Sequence, residues 1–167
     1  MGIVDILTPA RTLCDAPGTS KKNALQRVAD FVCQDIPSLD ASALFTQLIC
    51  RERLGSTGIG HGIAIPHCRL DGCAEITGAL VRLAEAIDFD AIDNEPVDIL
   101  FVLLVPEQAC DEHLQILKRL AELFSSAGTR DALRQAKDSQ ALYNIACAAA
   151  STDSDTAQPP LQRGTPR

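Results

Sequence analysis

The sequence lacks any apolar run near the 18–20 residues or so that a membrane-spanning helix needs, although 46% of its 167 residues are hydrophobic. Membrane insertion is therefore not expected. Residues 1–7 contain no basic side chain and precede no long apolar region, so we do not expect a secretory signal. Lysine and arginine together are fewer than aspartate and glutamate together. The net charge of −7 argues against a general nucleic-acid binder, which needs a basic face.

No C-x-x-C pair occurs, which argues against a zinc knuckle or a thioredoxin-like redox site. The cysteines are odd in number and scattered: Cys14, Cys33, Cys50, Cys68, Cys73, Cys110 and Cys147. This usage is typical of small buried apolar groups in a reducing cytoplasm. We therefore expect a cytoplasmic protein that has neither a metal nor another cofactor.

The most distinctive feature present is a glycine-rich segment, residues 55–70. Its glycines permit close backbone approach to a ligand, and Pro66 favours extended geometry at Ile65. We predict a loop that feeds a short strand, with His67 presented just after that strand. The candidate functional side chains in or just before the segment are Arg51, Arg53, Ser56, Thr57, His61 and His67.

A histidine on a shaped loop beside arginine and hydroxyl groups is typical of a phosphohistidine carrier. Neutral imidazole is a nucleophile near pH 7, and the neighbouring donors can hold phosphoryl oxygens. The composition of the segment fits equally well a glycine-rich turn in which the histidines have no chemical role.

The pattern of apolar residues predicts an α/β domain of three layers over residues 1–150, followed by a disordered polar tail over 151–167. Helices are predicted at about 20–34, from Asp40 to Gly55 and from Asp111 to Gly128, with two further helical pieces over about 129–150. Strands are predicted at 12–14, 76–83 and 97–105, with an acidic connector at 86–96. Because sites in such sheets collect at strand ends and loops, we expect His67 and His113 to meet there.

Three segments together resemble the type 2 IIA proteins of bacterial phosphoenolpyruvate phosphotransferase systems (fructose, mannitol and nitrogen types), and most of all the nitrogen-regulatory type. They are residues 51–67, 87–98 and 113–121. The resemblance spans about residues 3–147. It implies a mixed sheet flanked by helices on both faces.

The resemblance also implies a function. A phosphoryl group would pass from a nitrogen-branch HPr-like phosphocarrier protein to His67, forming a tele-phosphohistidine. Arg51 and His113 match the pocket residues around that histidine, and Ser56 and Thr57 are candidate hydroxyl donors to the phosphoryl oxygens. Such a protein is a phosphotransferase component that regulates target proteins by contact, rather than a metabolic enzyme. Its targets are not indicated by the sequence.

One residue departs from the family pattern, and three alternative functions stay open. Cys68 stands where a small residue, usually glycine, follows the phosphorylated histidine. The first alternative is a sugar-specific IIA unit of the fructose or mannitol type. The second is a zinc enzyme that uses His61, His67 and His113. The third is a Cys68 nucleophile with His67 as its base, which is disfavoured because neighbours on an extended chain point in opposite directions.

Overall fold

The computed structural model describes residues 2–108 and 111–157, with the backbone alone for 152–157. Two short 3₁₀ helices, Ile3–Asp5 and Pro9–Arg11, come before the first strand. The strands are β1 (Thr12–Ala16), β2 (Gly58–Gly60), β3 (Ile63–Ala64), β4 (His67–Leu70), β5 (Thr77–Ile87) and β6 (Val97–Pro106). The helices are α1 (Lys21–Asp35), α2 (Ala41–Leu54), α3 (Glu112–Phe124), α4 (Ala127–Gln135) and α5 (Ser139–Ala157).

The strands form one mixed sheet in the order β1-β5-β6-β3-β2, with β4 also paired to β6. Strands β5 and β6 are antiparallel, whereas β1 runs parallel to β5, and both β3 and β4 run parallel to β6. The mixed sheet implied by the family resemblance is therefore confirmed.

Strands β3 and β4 are two halves of one strand that Pro66 interrupts. Ile63 lies opposite Ile99 and His67 lies opposite Leu103, so the register along β6 does not change across the break. Proline has no N–H to donate to the ladder, but its carbonyl still accepts from the Leu103 N–H at 2.9 Å. As predicted, His67 comes just after a short strand, β3, but it also begins β4, which was not predicted.

Both faces of the sheet are covered by helices, which confirms the three predicted layers. Alternate residues of β6 point to opposite faces. Leu100, Val102 and Leu104 pack in the cluster with α1 and α2, whereas Ile99, Phe101 and Leu103 pack in the cluster with α3 and α5. Burying one such side chain contributes about 1.5–3 kcal/mol to stability. Strand β6 therefore anchors both layers, as its continuous apolar sequence predicts.

Local capping explains where the helices begin and end. Asp40 caps α2 as predicted, since its Oδ2 accepts from the Ala43 N–H at 3.1 Å. The prediction that Gly128 ends the third helix was wrong. Helix α3 ends at Phe124, and the Ser126 hydroxyl then caps α4 by accepting from the Thr129 N–H at 3.2 Å. Gly128 lies inside the first turn of α4.

The last helix passes the predicted start of the disordered tail. Asp138 caps α5, and the helix continues through residues 151–157, a stretch with no proline or glycine to stop it. The rest of the predicted tail, 158–167, and Cys110 lie outside the described residues. Within the described part of the chain, no helix is both long and apolar enough to cross a membrane.

Candidate functional site

The imidazole of His67 is oriented by the main chain at the break between β3 and β4. Its Nδ1 lies 2.8 Å from the Ile65 carbonyl oxygen. A carbonyl can only accept, so Nδ1 carries the ring proton and donates it. The neutral ring therefore presents an unprotonated Nε2, and the lone pair on that atom is the nucleophile available at this site.

Arg51, in the last turn of α2, contacts this nucleophilic nitrogen. Its Nε donates to His67 Nε2 at 3.3 Å, and its Nη1 donates to the Gly55 carbonyl at 2.8 Å. The second bond fixes the guanidinium at the C-terminus of the helix, where carbonyls lack partners in the helix itself. The structure thus brings the predicted pair of Arg51 and His67 together and leaves further N–H groups of the arginine for an anion.

Burial is the largest influence on the charge state of His67, and it lowers the pKa of the ring below its usual value of 6.5. The positive charge of Arg51 and the neighbouring His113 lower this pKa further, whereas the bond to Ile65 and the charge of Glu52 raise it. The net effect favours the neutral ring at pH 7, the form that has a free lone pair.

His113 lies in the first turn of α3 and is close enough to His67 to influence its pKa. Its own Nδ1 is buried and has no hydrogen-bond partner in the described part of the chain. An unpaired buried N–H is costly. The favoured tautomer therefore has the proton on Nε2, which makes that N–H the ring donor available to a ligand.

The hydroxyl groups of Ser56 and Thr57 already donate to protein acceptors. Ser56 Oγ donates to the Phe89 carbonyl at 2.9 Å, and Thr57 Oγ1 donates to Glu52 Oε1 at 2.6 Å. In this structure both hydroxyls therefore brace the glycine-rich segment rather than offer a proton to a phosphoryl oxygen.

The sequence reasoning gave Glu52 no role, yet this carboxylate is almost fully buried beside Arg51. A charged residue between Arg51 and Arg53 in the last turn of a helix is usually solvated, so the sequence offered little signal. The one sequence feature that could have indicated a role for Glu52 is its position, one residue after Arg51 and five residues before Thr57.

His61 does not join the other two histidines in a metal site. It lies exposed in the turn between β2 and β3 with a φ of +60°, and its N–H donates to Asp93 Oδ2. Within residues 2–108 and 111–157, no group of three His, Cys, Asp or Glu side chains is placed to hold a metal ion. The geometry therefore gives no support to the alternative of a three-histidine zinc enzyme.

Cys68 points away from His67, as alternation along a strand requires. Its side chain packs in the cluster below α1 and α2, and burial raises the pKa of the thiol to about 12. A thiol that stays protonated and buried is a poor nucleophile. The alternative of a cysteine enzyme with His67 as base therefore lacks support as well.

Two large apolar side chains are exposed next to residues of the pocket. Leu54, at the end of α2, is 85% exposed, and Leu114, which follows His113, is 56% exposed. Along the chain, Leu54 lies three residues after Arg51, and Leu114 lies directly after His113.

The sequence matches over residues 5–147 the family described as the EIIA 2 component of phosphoenolpyruvate-dependent sugar phosphotransferase systems. A nitrogen regulatory protein of Pseudomonas aeruginosa is 51% identical over 140 residues, which cover 84% of this chain and 91% of the relative. A fructose-specific EIIA component of the phosphotransferase system of Haloferax volcanii is 34% identical over 148 residues, with coverage of 87% and 96%.

Solved structures give the same result. The crystal structure of the nitrogen regulatory protein IIA-Ntr from Neisseria meningitidis has a TM-score of 0.80 at 38% identity, covering 86% of this chain and 98% of that one. The IIA mannitol structure from Escherichia coli, at 13% identity and a TM-score of 0.69, covers 83% and 97% and shares the fold. From the family match and the identity to these relatives, the chain belongs to the EIIA type 2 family of phosphoenolpyruvate-dependent phosphotransferase systems.

Proposed function

We propose that this protein is a phosphoryl-carrier regulator of the nitrogen-related phosphotransferase system and that His67 receives the phosphoryl group. The observation that carries the proposal is the hydrogen bond between His67 and the Ile65 carbonyl, which selects the tautomer of the ring. Nδ1 donates to the Ile65 carbonyl and leaves the Nε2 lone pair beside Arg51. The names of the relatives from Pseudomonas and Neisseria support the nitrogen branch over the sugar-specific alternative.

In the proposed reaction, the Nε2 lone pair of His67 forms a new N–P bond with the phosphoryl group of a phosphohistidine donor protein. The donor's N–P bond breaks, and its electron pair leaves with the donor imidazole. The proton on Nδ1 stays on His67, where the Ile65 carbonyl offsets the positive charge that the ring acquires. The product is a tele-phosphohistidine.

Arg51 and His113 hold the transferred group in this scheme. Once Nε2 is bonded to phosphorus, it no longer accepts a hydrogen bond, so the Nε–H of Arg51 passes to a phosphoryl oxygen. Arginine is well suited to this role, because it has a permanent charge and several N–H donors in a fixed plane. His113 adds one ring N–H beside the free backbone N–H groups at the start of α3.

The donor is proposed to be an HPr-like phosphocarrier protein of the nitrogen branch. It would dock over the pocket and cover Leu54 and Leu114, which are exposed in the free protein. We place this exchange in the cytoplasm, in keeping with the free thiols of the cysteines that the structure describes. The phosphoryl carrier comprises residues 1–150, and the regulated targets bind it through protein contacts.

The proposal is tested by incubating the protein with a ³²P-labelled nitrogen-branch phosphocarrier and, separately, with a sugar-branch one. We expect label on wild type and none on H67A, with faster transfer from the nitrogen-branch donor. H113A should lose more of the rate than H113Q, which keeps an N–H donor, and mass spectrometry should find no label on His113. Undiminished labelling of H67A would refute the proposal, and faster transfer from the sugar-branch donor would favour the sugar-specific alternative.

A further inference from the structure

The buried carboxylate of Glu52 is the centre of a hydrogen-bond network directly behind the pocket. Its side chain is 4% exposed. Oε2 accepts from the Thr57 N–H at 2.9 Å and from Lys21 Nζ at 3.3 Å, and Oε1 accepts from the Thr57 hydroxyl at 2.6 Å. Three donors converge on one carboxylate, so both of its oxygens are satisfied although it is withdrawn from water.

This network continues to the imidazole of His67 through the main chain. The Thr57 carbonyl accepts from the Ile65 N–H at 3.0 Å, and the Ile65 carbonyl accepts from His67 Nδ1 at 2.8 Å. Glu52 therefore fixes Thr57, Thr57 fixes Ile65, and Ile65 fixes the ring. A displacement of Thr57 would move the acceptor that sets both the tautomer and the direction of the nucleophile.

The other side of the carboxylate is held by Lys21, the first residue of α1. Its ammonium group also pairs with Asp90 at 3.1 Å and lies 5.1 Å from the centre of the Phe89 ring. The Phe89 carbonyl in turn accepts from the Ser56 hydroxyl. The two ion pairs of Lys21 thus join the start of α1 to the end of α2 and to the connector before β6, and hydrogen bonds from Thr57 and Ser56 add the glycine-rich segment.

From this geometry we infer that Glu52 is a positioning residue for phosphoryl transfer: by clamping Thr57, it holds His67 and Arg51 in the arrangement that accepts the phosphoryl group. The inference rests on the proposed function of His67. Glu52 does not contact the transferred group and acts through Thr57 and its own helix neighbour Arg51. Since small misplacements of reacting groups are costly, loss of the clamp slows the transfer step rather than weakening the binding of the donor.

The experiment measures single-turnover transfer by rapid quench over a range of concentrations of the phosphorylated donor. It separates the maximal rate constant from the donor concentration at half-maximal rate. T57V removes the hydroxyl that donates to Glu52 and keeps the shape of the side chain, whereas T57S keeps the hydroxyl and loses the methyl group. E52Q removes the charge, and E85Q, at an exposed position of β5, is the matched control for loss of a carboxylate.

We expect T57V to lower the maximal rate constant about tenfold and E52Q about tenfold to hundredfold, with the half-saturating donor concentration unchanged. T57S should retain most of the rate, and E85Q should match wild type. Because the two residues act as one unit, the double variant E52Q/T57V should lose no more than E52Q alone. Circular dichroism and thermal melting establish that each variant is folded. If E52Q fails to fold, the comparison of T57V with T57S decides whether the inference holds.

Several results would overturn the inference. They are an unchanged rate in folded T57V, a loss in T57S as large as in T57V, or additive losses in the double variant. Additive losses would mean that Thr57 acts independently of Glu52. Failure of wild type to accept label at all would instead refute the proposed function, so the two ideas fail by different measurements.

Discussion

Replacement of Arg51 by alanine should slow phosphoryl transfer strongly and leave the fold intact. In the free protein, the guanidinium donates to His67 Nε2 and to the Gly55 carbonyl. In the proposed reaction, the first bond marks the position that the phosphoryl group takes. Removing one charged donor from such a position costs about 2–4 kcal/mol of transition-state stabilisation. At 25 °C this cost corresponds to a rate reduced about 30- to 900-fold.

The cost to folding should be much smaller. The bond from Arg51 to Gly55 satisfies one carbonyl at the end of α2, and a hydrogen bond of this kind contributes about 0.5–1.5 kcal/mol. The side chain is only half-buried, so water can replace part of the lost bond. We therefore expect the free energy of unfolding of R51A to fall by about 1 kcal/mol.

The assay is rapid-quench transfer from a labelled phosphocarrier at saturating concentration, with urea unfolding of the same samples. The control is R53A, which removes the same charge from an exposed position two residues further along the helix. R51K should fall between wild type and R51A, because one ammonium group cannot reproduce the fork of donors. A rate in R51A equal to that in R53A would refute the place of Arg51 in the pocket.

Three further predictions follow from the pKa shifts and the packing. Burial lowers the pKa of His67, so the rate at which it accepts the phosphoryl group should stay constant above pH 6.5. The rate should fall only as the pH drops through the lowered pKa, because Nε2 is then protonated. A pH–rate profile with its midpoint above 6.5 would contradict this prediction. G58A should lose about 1–3 kcal/mol of unfolding free energy by urea titration, since a Cβ there would lie 2.7 Å from the Cβ of a neighbouring alanine. G128A on α4 should instead be stabilised by about 0.5–1 kcal/mol, because its Cβ would meet only an ordinary van der Waals contact at 3.8 Å. At pH 8, iodoacetamide should modify the exposed Cys50 and spare the buried Cys68, because burial raises the pKa of the Cys68 thiol to about 12. If peptide mapping finds Cys68 modified in the folded protein, its burial is contradicted.

The parts of the fold that could be predicted from the sequence are those that local physics determines. The cap at Asp40 and the apolar spacing of the first two helices are properties of short segments. Helix α2 begins directly after that cap, and α1 begins at Lys21, close to its predicted start at about residue 20. The same holds for β6, whose uninterrupted apolar run needs burial on both faces wherever it lies. The pairing of Arg51 with His67 was anticipated from the family pattern, and the hydrogen bond between them agrees with it.

The features that escaped prediction depend on which distant group a donor meets. Pro66 predicts an extended path, but that β3 and β4 continue in one register follows from their pairing with β6, which is more than thirty residues away. The hydroxyls of Ser56 and Thr57 were expected to face a phosphoryl group, and their acceptors are instead Phe89 and Glu52. Sequence identifies a donor, and the tertiary structure decides its acceptor.

The carbonyl that orients the imidazole of His67 has a consequence for evolution. Where a carboxylate side chain orients a histidine, one substitution removes the orienting group. Here the acceptor is the peptide oxygen of residue 65, which every amino acid carries. Substitutions at that position therefore cannot delete the acceptor, and they affect the ring only by changing the path of the chain. Substitutions at residue 65 should therefore change the orientation of the imidazole little. Selection for that orientation should act instead on the residues that determine the backbone conformation, Pro66 first among them.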